Sequence, residues 1–446
     1  MILLINPAVP PNSPWGPPKL LPPLGLAYVA ASLEQAGFHV EILDNYLYRE
    51  SPEQIAMLVK EKKPKIVGIS CNSVNYKECI KIARAIKDHE PSCKIIVGGP
   101  HPSCSPESIL EHEEIDYAII GEGERATVDL VKHVLKENEN KSTLNIPGVA
   151  YKYRGEIHKN QPMPIENLDS IPFPARHLLK MDKYDREIEY LDVKPADIMS
   201  VIRGCPYNCK FCETKKIWGY KCRAFSPSRI ISEIEYLMEN YGSRGIYFIG
   251  DNFTIFRDKT LKLCRLLVDR KINIEWACDT RVDLISEELL VEMKKAGCKT
   301  IWFGVESGSP RVLERLNKGV TLHQIKRAFR ICRKVGIRTA CSFMIGTPYE
   351  KLEDIEASFR LAKELDPDWC QFNIYIGCPG SELYEEIIDK GLYDQIDGFI
   401  TYVRTNDFDY NRLLEIQKKL MKNFYNSPKR VIQGMRRKLL RFLKSI

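Results

Sequence analysis

The chain has 446 residues, which is enough for two or three domains with full hydrophobic cores. Its apolar content of 44% and charged content of 28% are those of a globular protein. No apolar run approaches the roughly 20 residues of a membrane-spanning helix. The net charge of +7 comes from the last twenty residues, which carry seven Lys or Arg and no acid, so the body offers no basic surface for nucleic acid.

Short β-rich runs alternate with amphipathic helical runs over residues 1 to about 136. This alternation predicts a parallel sheet covered on both faces, and its five units suit a doubly wound, flavodoxin-like domain of the Rossmann type. We interpret the N-terminal apolar run, which has no basic segment before it, as the first strand and not as a signal peptide. The predicted strands are 2–6, 39–43, 65–70, 94–99 and 116–120.

Three loops at the carboxyl ends of these strands are rich in glycine, proline and small polar residues. They are "SCNSVN" (70–75), "GGPHPS" (98–103) and "GEGE" (121–124). Glycine lets the backbone approach a ligand closely, and the N–H groups at a helix start favour anionic groups. The alternative is that these residues only make tight turns. Three such loops on one sheet edge favour a bound ligand.

Residues 137–195 have a different character, with a polar start, a predicted hairpin about Arg154-Gly155 and a proline-rich extended run, and we interpret them as a linker. Strand–helix alternation resumes over 196–385, and six units predict a partial (β/α)6 barrel of the TIM type, with function at its carboxyl edge. Residues 386–446 are predicted to be helical. The predicted barrel strands are 197–202, 245–250, 274–278, 300–305, 338–346 and 370–376.

The stretch "RGCPYNCKFC" (203–212) follows the first predicted barrel strand and holds three cysteines. A structural zinc site would need a fourth ligand, for which Cys222 is the nearby candidate, and a redox pair needs two thiols. Three thiolates suit a 4Fe–4S cluster in which one iron stays open to a substrate or cofactor. The three cysteines are Cys205, Cys209 and Cys212.

The other cysteines mostly stand singly inside apolar runs, where we interpret them as buried thiols. The odd total of fifteen, without an export signal, fits a reducing cytoplasm. The clearest examples are Cys264, Cys278, Cys298, Cys332 and Cys341.

The CxxxCxxC spacing, with Phe211 before the last cysteine, resembles the signature of radical S-adenosylmethionine (SAM) enzymes. The resemblance implies that the open iron chelates SAM, and that one electron from the cluster cleaves the sulfonium to release a 5′-deoxyadenosyl radical. Segments at four further strand ends are similar to those of radical SAM enzymes with an N-terminal cobalamin-binding domain. The SAM contacts implied by this resemblance are Phe211, Asp251, Asn252, Arg281, Glu306, Ser307 and Ile345, with Phe211 and Ile345 over the adenine.

The N-terminal half resembles the cobalamin domain of the same subfamily. The D-x-H-x-x-G pattern, whose histidine ligates cobalt, is absent, as it often is in this subfamily, and a domain that has lost cobalamin is the alternative. His101 is the one histidine at the ligand edge, and we interpret it as a hydrogen-bonding loop residue. The cobalamin contacts implied by the resemblance are Leu24, Gly25, Ser70, Cys71, Asn72, Ser73, Gly98, Gly99, Pro100, His101, Gly121, Glu122, Gly123 and Glu124.

The resemblance leads to three functional hypotheses. The first is a C-methyltransferase that uses the deoxyadenosyl radical and methylcobalamin on an unactivated carbon. The second is a radical cyclase or carbon–carbon coupling enzyme for a tetrapyrrole or lipid, without methyl transfer. The third is a non-catalytic iron–sulfur or corrinoid-binding module. Both enzymes imply a small-molecule or lipid substrate, an electron donor of the flavodoxin or ferredoxin type, and no nucleic acid.

The last twenty residues, 427–446, show apolar positions at three- and four-residue steps with basic residues largely off that stripe. This pattern predicts a basic amphipathic helix that lies on an anionic membrane surface or docks its apolar face on the barrel. We therefore expect a cytoplasmic protein with peripheral contact to the inner membrane face. The stripe is formed by Ile432, Met435, Leu439, Leu443 and Ile446.

Overall fold

The computed structural model describes residues 1–9, 20–136, 142, 144–250, 252–397, 399–405, 407–426 and 430. The chain forms two compact units, the first from residues 1–185, 213–221 and 398–400, and the second from 186–212, 222–397 and 401–446. No helix in the described ranges has both the length and the hydrophobicity to span a membrane. The predicted SAM contact Asp251 and, apart from Arg430, the predicted basic tail lie outside the described residues.

The first unit contains a seven-stranded sheet with the order β2-β1-β3-β4-β5-β6-β7. Its first five strands are parallel and follow the order 2-1-3-4-5 of flavodoxin-like folds, which confirms the predicted fold class. Each of these strands ends within one residue of its predicted limits. The strands are β1 (Ile2–Asn6), β2 (Val40–Asp44), β3 (Ile66–Ser70), β4 (Lys94–Gly98), β5 (Tyr117–Ile119), β6 (Val149–Tyr153) and β7 (Glu156–Lys159).

Helices cover both faces of this sheet, because side chains of a buried strand alternate between two apolar cores. In β1, Leu3 and Ile5 enter the core on one face, while Ile2 and Leu4 enter the core on the other. The helices are α1 (Leu24–Gln35), α2 (Asn45–Tyr48), α3 (Pro52–Lys62), α4 (Tyr76–His89), α5 (Pro100–Cys104), α6 (Pro106–Leu110), α7 (Gly123–Val134) and α8 (Thr214–Trp218).

The predicted hairpin about Arg154-Gly155 is present, and both turn residues have positive φ, as a two-residue type I′ turn requires. Its first strand, β6, pairs antiparallel with β5, so the hairpin extends the sheet of the first unit. This part of the predicted linker is therefore sheet. The predicted domain limits, at 136, 195 and 385, stay predictions.

The second unit contains six parallel strands in the order β15-β14-β13-β12-β11-β8. Neighbouring strands of this sheet also follow one another in the chain, except that the short ribbon β9–β10 lies between β8 and β11. Helices connect the successive strands, as the predicted partial barrel requires. The strands are β8 (Ala196–Ser200), β9 (Ile202–Arg203), β10 (Arg223–Ala224), β11 (Gly245–Ile249), β12 (Glu275–Thr280), β13 (Cys298–Glu306), β14 (Arg338–Ile345) and β15 (Trp369–Ile374). The helices are α9 (Pro227–Tyr241), α10 (Arg257–Asp269), α11 (Glu287–Lys295), α12 (Pro310–Arg315), α13 (Leu322–Val335) and α14 (Leu352–Leu365).

The sequence predicted that the region after the barrel is helical, but the structure contains short strands there as well as helices. It contains β16 (Ile376–Gly377), α15 (Glu382–Asp389), β17 (Tyr393–Asp397), β18 (Ile400–Val403) and α16 (Tyr410–Tyr425), with a small sheet ordered β16-β18-β17. The two residues of β16 and the largely polar sequence of β17, "YDQID", form no apolar run that would predict a strand. Helix α16 covers the sheet edge, because the Tyr425 hydroxyl bonds both the N–H and the C=O of Cys370 at 2.8 Å.

Candidate functional site

The cysteine loop leaves the carboxyl end of β8 and is closed by the antiparallel β9–β10 ribbon. The Lys210 N–H donates to the C=O of Leu316 at 3.0 Å, and the Lys210 C=O accepts from the N–H of Leu383 at 2.9 Å. These bonds fix the middle of the loop against the barrel. The loop presents three half-buried thiols, those of Cys205, Cys209 and Cys212, whereas the five cysteines predicted as core thiols are all buried.

The thiols do not form a site for a single metal ion. Within the part of the chain that the structure describes, no three His, Cys, Asp or Glu groups are placed to hold one ion. The Cys222 thiol, the candidate fourth zinc ligand, donates to the C=O of Gly204 at 3.1 Å. A 4Fe–4S cluster does not need three ligands on one ion, because each thiolate binds a different iron of the cluster. The donor set of three half-buried thiols on one loop therefore fits a cluster with one open iron.

Asn252 and Arg281, which follow β11 and β12, lie against this loop. The Asn252 Nδ2 is 3.4 Å from the Cys205 Sγ, and the Arg281 Nη1 is 4.0 Å from the Cys209 Sγ. The buried Asn252 Oδ1 has no hydrogen-bond partner among the described residues. Leaving a buried carbonyl unsatisfied costs about 1–3 kcal/mol, so this atom can accept a hydrogen bond from a group outside the described residues.

Glu306, the last residue of β13, has a left-handed backbone with φ of 66°. Its carboxylate accepts from the Lys318 Nζ at 2.8 Å, and both side chains are about nine-tenths buried. The Lys318 ammonium also lies 5.7 Å from the centre of the Phe211 ring. Sequence reasoning missed Lys318, because it ends no strand and only the folded loop after α12 brings it to Glu306. A Cβ on Gly304 would collide with this carboxylate in its present position, so a larger residue there would displace the pair.

In the first unit, the loops after β3, β4 and β5 are tied together at one sheet edge. The Cys71 N–H donates to the C=O of Gly98 at 2.7 Å, and the His101 N–H donates to the C=O of Cys71 at 3.1 Å. The Gly121 N–H donates to the Ser103 Oγ at 2.9 Å. Gly99 has φ of 116°, and a Cβ there would lie 2.6 Å from the Cys71 oxygen. Glycine at this position therefore allows the loops to meet.

The His101 side chain is fully engaged within this unit. Its Nδ1 is 3.0 Å from the Ser73 Oγ, and its Nε2 is 3.0 Å from the Ser108 Oγ. The rings of Tyr76 and Phe399 pack against it at 4.9 and 4.8 Å. Burial lowers the pKa of His101 to about 4, so the imidazole is neutral. Both ring nitrogens are occupied, in agreement with the hydrogen-bonding role predicted for this residue.

Helix starts at the same edge offer backbone donors. In the described part of the chain, neither α1 nor α7 has a side-chain cap from its N-cap residue, Pro23 or Glu122. A Cβ on Gly25 would meet no atom of the described residues within 4 Å. Uncapped N–H groups fit amide and phosphate oxygens such as those of cobalamin. The other predicted contacts are distributed along this edge: Leu24 begins α1, Ser70 ends β3, the Asn72 N–H donates to the Asn75 Oδ1, Pro100 begins α5, and Gly123 and Glu124 begin α7.

Two family profiles match the chain, "B12 binding domain" over residues 18–131 and "Radical SAM superfamily" over residues 199–362. The chain is 33% identical over 424 residues to an uncharacterised methyltransferase of Pyrococcus horikoshii, and the match covers 93% of this chain and 90% of that protein. The chain belongs to the radical SAM superfamily, among its members with a B12-binding domain. It is therefore an enzyme, as predicted.

Further relatives of this radical SAM enzyme include the anaerobic magnesium-protoporphyrin IX monomethyl ester cyclase of Rubrivivax gelatinosus, 30% identical over 378 residues, with 83% of this chain and 67% of that protein covered. Among solved structures, the cobalamin-dependent SAM radical enzyme OxsB has a TM-score of 0.78 at 19% identity, covering 99% of this chain and 72% of that one. The SAM methyltransferase TsrM of Kitasatospora setae has a TM-score of 0.70 at 20% identity, covering 87% and 74%. These two likenesses confirm the fold.

The predicted SAM contact Ser307 is fully buried in this radical SAM barrel. Its Oγ accepts from the Ser309 N–H at 3.1 Å and lies 3.3 Å from the Ser358 Oγ. The hydroxyl thus organises the loop after β13. Its contact with SAM stays a prediction.

Ile345 and Met344 point to opposite faces of β14, because strand side chains alternate. Ile345 is fully buried, whereas the half-buried Met344 packs in the same apolar cluster as Phe211. Met344 and Phe211 therefore pack against the same apolar cluster. The predicted adenine contact of Ile345 stays a prediction.

The inner face of the radical SAM barrel is polar and aromatic. Tyr247, Asp279, Trp302 and Ser342 are only partly buried, while their neighbours on the outer face, such as Phe248, are buried under helices. The Tyr247 hydroxyl donates to the Asp279 Oδ1 at 2.5 Å, and burial raises the pKa of Tyr247. Sequence reasoning considered only strand ends and did not single out these inward-facing residues.

Proposed function

We propose that this enzyme is a cobalamin-dependent radical SAM C-methyltransferase acting on an unactivated carbon. The observation that carries the proposal is the loop of three half-buried thiols at the same barrel edge as Asn252, Arg281 and Glu306, in a chain that also has a B12-binding domain. The uncharacterised methyltransferase of Pyrococcus horikoshii, which matches over nearly the full length of both chains, supports this assignment.

In this proposal, the thiolates of the loop hold a 4Fe–4S cluster. When bound, the cluster and SAM supply a carbon-centred radical, and cobalamin supplies the methyl group. Asn252 and Arg281 contact the sulfurs of the ligating cysteines. The Glu306–Lys318 pair offers polar contacts to SAM. Phe211 and Met344 contribute apolar side chains that exclude water. The three tied loops of the first unit and the start of α1 hold the corrinoid, with the contact residues that the sequence predicts.

The test is anaerobic reconstitution of the full chain with iron, sulfide and cobalamin, followed by incubation with SAM and a low-potential reductant. We expect bound iron and sulfide, a bound corrinoid spectrum, and release of 5′-deoxyadenosine. The triple variant C205A/C209A/C212A should lose the iron and sulfide but keep its fold, whereas Cys264→Ala, at a buried core thiol, should keep them. Zinc in place of iron and sulfide, or no SAM cleavage by a loaded cluster, would refute the proposal in favour of a non-catalytic module.

A radical cyclase or coupling enzyme for a tetrapyrrole or lipid is the second candidate. The match to the Rubrivivax gelatinosus cyclase, which covers most of both chains, favours it. Product mass separates the candidates, because methyl transfer adds one CH2 per turnover and releases S-adenosylhomocysteine. Cyclisation removes hydrogen and adds no carbon.

The proposed partners are a small-molecule or lipid substrate and a one-electron donor of the flavodoxin or ferredoxin type. We place the enzyme in the cytoplasm, with the basic segment 427–446 in contact with anionic lipid. The support for that contact is the sequence pattern of the segment, in which apolar positions and basic residues segregate.

A further inference from the structure

Two nitrogen donors from consecutive strand ends approach two of the three thiols of the cysteine loop. Asn252 approaches Cys205, and the Arg281 guanidinium, which carries a full positive charge, approaches Cys209. Hydrogen bonds and charge at the ligating sulfurs, together with solvent exposure, set the reduction potential of an iron–sulfur cluster. We propose that Arg281 is a positioning residue that raises the reduction potential of the cluster through Cys209. This inference rests on the proposed function.

The position of Arg281 is fixed from two further sides. Its Nε and Nη2 donate to the two carboxylate oxygens of Asp283 at 2.9 and 3.2 Å. Its guanidinium lies 3.7 Å from the centre of the Tyr207 ring, and Tyr207 belongs to the cysteine loop itself. Arg281 is 5% exposed, so water screens its charge poorly. A charge held in this way contacts the loop at both a sulfur and a ring.

Reduction adds one electron from an external low-potential donor to the cluster, and no bond forms or breaks. A nearby positive charge stabilises the reduced cluster, which is one unit more negative, more than the oxidised one. The negative charge of Asp283 acts in the opposite direction. Removing either charge should therefore move the potential, and the two shifts should have opposite signs.

The experiment is an EPR-monitored redox titration of the anaerobically reconstituted full chain, with dithionite as reductant and without SAM. Arg281→Met should lower the reduction equilibrium constant at least tenfold, about 59 mV for a one-electron couple. Asp283→Asn should raise the potential, and Arg281→Lys should fall between Arg281→Met and the unmodified chain. Arg270→Met removes an equal charge from the surface pair with Glu235 and should leave the potential unchanged.

Equal reduction potentials for Arg281→Met and Arg270→Met would overturn the inference. A lower potential in both Arg281→Met and Asp283→Asn would also overturn it, because it would indicate general disturbance of the loop. If Arg281→Met fails to hold iron, a raised potential in Asp283→Asn supports the inference and a lowered or unchanged potential overturns it. Failure of the proposed function would look different, because the unmodified chain would then hold no iron and sulfide.

Discussion

The buried carboxyl group of Glu350 makes the stability of the barrel unit depend on pH. Burial raises the pKa of Glu350 from 4.5 to about 8, although the N–H groups of Gly346 and Thr347 donate to its Oε2 and favour the ionised form. The folded state therefore binds this proton more tightly than the unfolded state. The stability that results is complete below about pH 4.5 and is lost as pH rises toward 8. At about 1.4 kcal/mol per pH unit, the loss at pH 7 is about 3 kcal/mol.

Glu350→Gln removes this dependence, because the amide is neutral at every pH and its oxygen accepts the same two N–H groups. The variant should match the unmodified chain near pH 5 and should unfold with a free energy about 3 kcal/mol higher at pH 7. Urea unfolding between pH 5 and 8, followed by tryptophan fluorescence, measures the difference. Glu356→Gln, at an exposed position of α14, is the control and should show no such trend. If Glu350→Gln is less stable than the unmodified chain at every pH, the carboxylate is ionised and burial does not dominate its pKa.

Three further predictions concern the first unit and the basic segment. In thermal unfolding, Gly99→Ala should destabilise the first unit by about 1–3 kcal/mol more than Gly37→Ala. Both glycines have positive φ, but of the two only Gly99 faces a backbone oxygen. Equal effects would contradict the close approach of Gly99 to Cys71. Both ring nitrogens of His101 are occupied by hydrogen bonds, so His101 should not ligate cobalt. The cob(II)alamin EPR spectrum of the unmodified chain should therefore lack nitrogen splitting from a lower protein ligand, and His101→Gln should retain corrinoid. Nitrogen splitting that disappears in His101→Gln would contradict this. Deletion of residues 427–446 should weaken sedimentation with anionic vesicles and leave SAM cleavage intact, and unchanged sedimentation would remove the membrane proposal.

The parallel strands could be predicted closely because each is a short apolar run bounded by turn residues and followed by an amphipathic helix. Strand β3 illustrates this, since its buried run ends at Ser70 where the polar loop begins. Strand β17 was missed because its sequence, "YDQID", is largely polar and forms no apolar run. The pairing of β6 with β5 could not be predicted either, because a hairpin sequence carries no information on which edge it joins.

Part of the barrel site could be predicted by one geometric rule, that the carboxyl ends of parallel strands meet at one edge. The rule brings Asn252 and Arg281 to the cysteine loop, where the structure places them. It does not find Lys318, which lies in a loop after a helix. The faces of the sheet on which Met344 and Ile345 lie depend on the register of β14, and a slip of one residue exchanges them.

The predicted contact residues differ in whether their polar side-chain atoms already have hydrogen-bond partners within the protein. The Ser307 hydroxyl and the His101 ring bond to neighbouring side chains or backbone, so neither needs a ligand to be satisfied. Asn252 differs, because its amide group lies against Cys205 while its buried Oδ1 has no partner in the described part of the chain. A buried carbonyl left unsatisfied is costly, so it is explained best by a group that binds there. The predicted SAM contacts of Asn252 and Ser307 thus differ in what the described residues leave open: the Asn252 Oδ1 has room for a donor, whereas the Ser307 hydroxyl already orders the loop after β13. Both contacts stay predictions.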